Sequence, residues 1–160
     1  MIDKHILIEE LRSRLEDERS TLTRIAMEAA AAVTHEDNKP ENDKDMRSTE
    51  ASYIARGQAE RAREVERSLG LLSSMLVRSF GPEDKIAATA LVELAQGKTK
   101  LVCFVMPVGG GQRVRQGDTE IQVVTPTSPL GKALMGLGEG DDAEVSTPQG
   151  TKIYEIVSVR

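Results

Sequence analysis

The sequence predicts an α+β protein: an N-terminal antiparallel helical hairpin of coiled-coil type over residues 1–79, then a small antiparallel sheet domain with one short helix over residues 83–160. Three observations carry this. Two long segments rich in Ala, Arg and Glu place apolar residues at helical spacing. A short acidic stretch, His35 to Asp45, separates them and contains Pro40, which an unbroken helix does not tolerate. After Gly81-Pro82 the pattern changes to short apolar runs punctuated by glycine, the signature of strands and tight turns.

The first helix is predicted from about Asp3 to Val33. Leu7, Leu11, Leu15, Leu22, Ile25, Ala29 and Val33 fall on one stripe, with Arg and Glu on the other faces. The acidic stretch is the expected tip of the hairpin, spanning residues 35–50. Glu36, Asp37, Glu41, Asp43 and Asp45 crowd there against two lysines, and such a cluster stays solvated. The second helix is expected from near Asp45 or Ser48 to about Ser79. Its stripe reads Tyr53/Ile54, Gly57, Arg61, Val65, Leu69, Leu72 and Leu76, and Gly57 is read as a point of close approach to the Ala29–Ala32 run. Arg56, Arg61, Arg63 and Arg67 alternate with Glu60, Glu64 and Glu66, which describes a salt-bridged helix surface.

Strands are expected over 86–94, 100–106, 120–124, 143–147 and 152–159, with weak pairing at 112–114. Gly109-Gly110-Gly111 reads as a flexible link, because neither Lys-Ser/Thr nor a helix follows it as a phosphate loop requires. Ser128 is placed to cap a short helix with Pro129 at its first position.

Composition excludes several functions. Four aromatic residues in 160 and no Trp leave no base-stacking platform, and a net charge of −5 with mixed signs makes neither half a nucleic-acid binder. Any nucleic-acid contact is therefore indirect, through a protein partner. The single cysteine, Cys103, lies in an apolar run and reads as a core thiol. No run is long enough to span a membrane and no signal-peptide pattern opens the chain, so a cytoplasmic protein is expected.

The segments Ser128-Pro129-Leu130-Gly131-Lys132-Ala133-Leu134-Met135-Gly136, Gly140-Asp141, Thr147-Pro148-Gln149-Gly150 and Tyr154-Glu155-Ile156 resemble, in order and spacing, the C-terminal domain of the Gre transcript-cleavage factors. The resemblance implies an FKBP-like C-terminal domain that docks on bacterial RNA polymerase, with Ser128, Pro129, Leu130, Gly131 and Lys132 as expected contacts. It implies that the hairpin enters the secondary channel, where tip carboxylates help hold a Mg²⁺ shared with the polymerase. Asp43 and Asp45 are the expected metal-assisting residues, with Glu41 and Glu50 beside them; such an ion takes carboxylate and water oxygens. The factor would then be a monomeric accessory to another enzyme's active site, with no cofactor of its own. The family tip has the form Asp-Leu-Ser-Glu-Asn-Ala-Glu-Tyr. Here Met46-Arg47-Ser48-Thr49-Glu50-Ala51-Ser52-Tyr53 stands in its place, with Glu50 read as the Glu and Arg47 as replacing the Asp. Two other readings stay open: a channel-occupying inhibitor or regulator without cleavage activity, and a structural adaptor whose hairpin binds another protein. Prolyl isomerase activity, suggested by the FKBP-like resemblance, lacks the aromatic-lined pocket it needs.

Overall fold

A computed structural model describes the backbone of residues 1–36 and 41–160 and the side chains of residues 1–34 and 46–160. The elements are α1 (Lys4–Glu36), α2 (Glu41–Ser74), β1 (Leu91–Gln96), β2 (Thr99–Val105), β3 (Arg113–Gln116), β4 (Thr119–Val124), α3 (Pro129–Leu134), β5 (Asp142–Thr147) and β6 (Gly150–Val159). Packing divides them into two compact units, one of Met1–Leu11 with Ser74–Arg160 and one of Arg12–Ser73. The first turns of α1 thus group with the sheet, although their sequence continues the hairpin.

Within Arg12–Ser73 the helices run antiparallel. Arg61 pairs with Glu18 at 3.1 Å, and these residues lie at similar distances along the chain from the ends of α1 and α2 that face each other in sequence. The α1 stripe is as expected: Leu15 is buried, and Leu22, Ile25, Ala29 and Val33 are half-buried. The α2 stripe differs toward the tip. Val65, Leu69 and Leu72 are buried, but beyond them the inward positions are Ala62, Ala59, Ala55 and Ala51, while Tyr53 and Ile54 face out. A side chain added at Gly57 would meet nothing within 4 Å, so this glycine admits no close approach. Leu76 lies past the end of α2 and is exposed. The helix also begins earlier than its composition suggests, at Glu41. Carboxylates that disfavour a helix interior are favourable near its N-terminus, where the backbone dipole is positive.

The second unit is built on one six-stranded sheet in the order β3-β4-β2-β1-β6-β5. All neighbours are antiparallel except β2 and β4, which run parallel, so the sheet is mixed and not wholly antiparallel. One face carries a core containing Val92, Leu94, Val105, Ile156 and Val159, over which α3 places Leu134. Cys103 belongs to this core, and burial pushes its thiol up to about 12. Phe104, Ile121 and Val123 are fully buried as well, and Leu11 of α1 lies beside Val123 and Gly109.

Strict alternation along β6 would put Val159 on the face of Val157 and Glu155. Instead the ladder slips: Glu93 pairs with Ser158 and Leu94 with Ile156, leaving Val157 as the extra residue of a bulge. Ile156 and Val159 therefore both turn inward, at 1% exposure each. The glycine triplet is ordered by hydrogen bonds rather than flexible. Gly111 N donates to Val123 O at 2.9 Å and Gln112 N to Gly109 O at 3.1 Å, with Gly109 and Gly111 at φ +75° and +84°. Only glycine adopts those angles without strain.

Candidate functional site

Two regions carry the expected site residues. In the hairpin, Glu41, Asp43 and Asp45 fall in the opening of α2, and their side chains lie outside the described residues, as does that of His35. Glu50 is described and exposed. Among the described residues no group of three or more His, Cys, Asp or Glu is placed to hold a metal.

Because α2 is continuous from Glu41 to Ser74, its register follows by counting. With Tyr53 as the family's Tyr, the Asp position falls on Met46 and the Glu position on Thr49, which corrects the assignment to Arg47 and Glu50. One residue along a helix is a rotation of about 100°. Glu50 therefore presents its carboxylate on a different bearing from the family's Glu. Met46, Thr49, Glu50, Tyr53 and Ile54 surround one shallow hollow, and Met46 and Tyr53 are 81% and 70% exposed. The face that the pattern would make acidic is largely apolar here.

The arginine flank behind it is neutralised within the hairpin. Arg61 holds Glu64 at 3.0 Å as well as Glu18, and Arg63 and Arg67 share Glu60 at 3.2 and 3.7 Å. Hydrogen bonding to Glu64, then the charge of Glu18, raises the pKa of Arg61.

The second region is the loop into α3. Ser128 caps the helix as expected: Gly131 N donates to its Oγ at 3.1 Å, and that hydroxyl donates to Thr125 O at 2.7 Å. Ser128 N also donates to Thr125 O, at 3.0 Å. This double use of one carbonyl draws the strand end against the helix. A Cβ on Gly131 would collide with Thr125 O, so the glycine is required by close approach. Pro129 and Lys132 are exposed and Leu130 half-buried. Ser128, Pro129 and Leu130 border a cavity of about 610 Å³ with Leu101, Val145 and Tyr154. The five expected contact residues are thus consecutive through the start of α3, and three of them, Ser128, Pro129 and Leu130, line the concave surface.

The turn after α3 is held by Asp141, whose Oδ2 accepts from Gly138 N at 2.8 Å and from Lys85 Nζ at 3.4 Å. The Gly138 bond, then Lys85, holds this carboxyl below its ordinary range. Lys85 lies 56 residues away in sequence, and no local pattern signals that pairing.

The family described as "Transcription elongation factor, GreA/GreB, C-term" matches residues 112–160. Transcription elongation factor GreA of Methylococcus capsulatus is 32% identical over 157 residues, covering 95% of this chain and 92% of that protein. GreA of Brucella canis is 30% identical over 154 residues, covering 96% and 90%. Among solved structures, GreA factor homolog 1 (Gfh1) of Thermus thermophilus is similar at 23% identity and a TM-score of 0.39, covering 96% of this chain and 94% of that one. Identity at this level, sustained along nearly the whole length of both chains, means that the chain belongs to the GreA family of transcription elongation factors.

Proposed function

We propose that this chain binds bacterial RNA polymerase and modulates elongation by occupying the secondary channel with its hairpin, as a regulator with weak cleavage activity. The carrying observation is the tip face of α2, where exposed Met46 and Thr49 stand at the two acid positions of the family pattern. A Mg²⁺ shared with the polymerase needs hard oxygen ligands at fixed bearings. A thioether and a single hydroxyl supply no carboxylate there. The C-terminal unit anchors the factor through the turn Ser128 to Lys132, whose exposed Pro129 borders the concave face and whose Lys132 is exposed. The protein works in the cytoplasm as a monomer. It is not itself an enzyme, it brings no cofactor, and it meets nucleic acid only through the polymerase.

A second reading keeps full cleavage stimulation, with Asp43 and Asp45 as ligands and Glu41 and Glu50 assisting; their clustering in sequence favours it. Backtracked elongation complexes at fixed Mg²⁺ separate the two. On the first reading the protein releases little RNA fragment and competes with a cleavage-proficient relative. The double substitution Met46→Asp/Thr49→Glu then raises cleavage by about ten- to a hundredfold, the scale on which metal-site residues act. Strong cleavage by the unaltered protein, lost in Asp43→Asn/Asp45→Asn, would overturn it in favour of the second.

A further inference from the structure

The geometry points to a binding site for a small phosphorylated organic anion beside Phe80, with the phosphate on Lys4 and Arg78 and the organic body on an apolar wall. The ammonium of Lys4 lies 4.8 Å from the centre of the Phe80 ring and the guanidinium of Arg78 lies 4.9 Å from it. Two cations thus converge on one ring. Among the described residues neither has a carboxylate within ion-pair distance, whereas nearby Arg160 is paired with Glu93 at 3.6 Å. The carboxylate of Asp3, at the edge of the same cavity, is turned to the start of α1, where it accepts from His5 N at 2.8 Å. Two positive charges sharing one ring, with no ion-paired carboxylate among the described residues, cost free energy, and a dianion relieves it. Phosphate monoesters carry a charge of about −1.5 to −2 near neutral pH, whereas a monocarboxylate would neutralise only one partner.

The cations border a cavity of about 470 Å³, whose apolar wall includes Ile2, Val77 and Leu91. That volume falls in the range of small-molecule sites, which are mostly apolar with a few converging polar groups. Lys4 Nζ and the backbone of Arg78 are also held in place before any ligand arrives. Lys4 Nζ donates to Arg78 O at 2.7 Å, and Arg78 N donates to Thr89 Oγ1 at 3.0 Å. Thr89 is 1% exposed and sits at φ +71°, a left-handed conformation that a β-branched residue adopts only when its surroundings impose it. Both backbone polar groups of Arg78 are therefore fixed. Burial, and after it the charge of Arg78, lowers the Lys4 ammonium to about 8, consistent with a cation that lacks a counter-ion.

Isothermal titration of the full chain with phenyl phosphate, inorganic phosphate and phenol tests the site. Saturable one-to-one binding of phenyl phosphate is expected on the order of 1 mM, the range of a fragment-sized ligand. Inorganic phosphate should bind at least about tenfold more weakly, for want of the apolar wall, and phenol not detectably. Arg78→Met and Lys4→Met, checked for folding by circular dichroism, should each weaken phenyl phosphate by about tenfold, while Lys98→Met in an exposed turn leaves it unchanged. Absence of saturable binding, equal affinity in the folded cation variants, or phenol binding as well as its phosphate would each overturn the proposal.

Discussion

The two compact units hold their shape by different means. In the sheet unit, Leu94, Phe104 and Ile121 are removed from water entirely, and turns such as Thr125–Gly131 leave no room for a Cβ. Toward the tip of Arg12–Ser73 the inward positions of α2 are mostly alanines, with Ser48, Ser52 and Gln58 also half-buried, and the cross-helix contacts include exposed ion pairs such as Arg61 with Glu18. Close packing prescribes residues one by one, because each void or clash is felt. An alanine seam with a charged exterior prescribes only a composition. Many sequences satisfy the second, and few satisfy the first.

The largest test of this contrast is truncation on either side of it. Phe104→Ala should cost about 3–5 kcal/mol, whereas Ile54→Ala, on the exposed face of α2, should change stability by no more than about 0.5 kcal/mol. Urea unfolding of both variants reads the difference, and comparable losses would erase the contrast. A glycine pair sharpens it. Gly131→Ala drives a methyl into Thr125 O and should destabilise by about 2–3 kcal/mol. Gly57→Ala meets open space in a helix interior and should stabilise by about 0.5–1 kcal/mol. Opposite signs in thermal unfolding are the expected result. The smallest effect is electrostatic: Arg61→Gln, which removes two exposed ion pairs, should cost at most about 1 kcal/mol. Its cost should shrink in high salt, and a salt-independent loss would mean that packing, not charge, is what Arg61 supplies.

Much of the fold was legible because local chemistry dictated it. The Leu7-to-Val33 stripe and the Ser128-Pro129 cap each follow from a few neighbouring residues. The failures lie where distant or averaged effects decide. The acids at 41–45 read as a turn because mutual repulsion was weighed and the helix dipole was not. Tyr53 and Ile54 read as inward because they are large and apolar, while alanines fill the seam instead. The parallel pairing of β2 with β4 and the bulge at Val157 belong to the sheet as a whole and leave no trace in periodicity. Of the candidate site, the Ser128 cap was legible from its own residues, while the contact role of Ser128–Lys132 rests on the family resemblance; the tip alignment was misplaced by one position, an error that matters only on a helix that keeps strict register. Lys4, Arg78 and Phe80 escaped notice because residues 4 and 78 meet only once the chain has folded back.

That return of the chain has a consequence for assembly. Asp3 N donates to the side chain of Gln116 at 2.6 Å, across 113 residues of sequence, and β6, the last strand, lies between β1 and β5. The sheet is therefore incomplete until nearly all of the polypeptide is available, whereas the hairpin needs only residues 12–73. During synthesis the hairpin can form first and carry Leu11 and Ser74 as a ready-made clasp. Closing a loop between those positions then no longer requires collapsing a disordered segment, which lowers its entropic cost. The hairpin would then also act as a folding scaffold for the sheet, and lengthening it by matched turns on both helices should slow folding of the sheet very little.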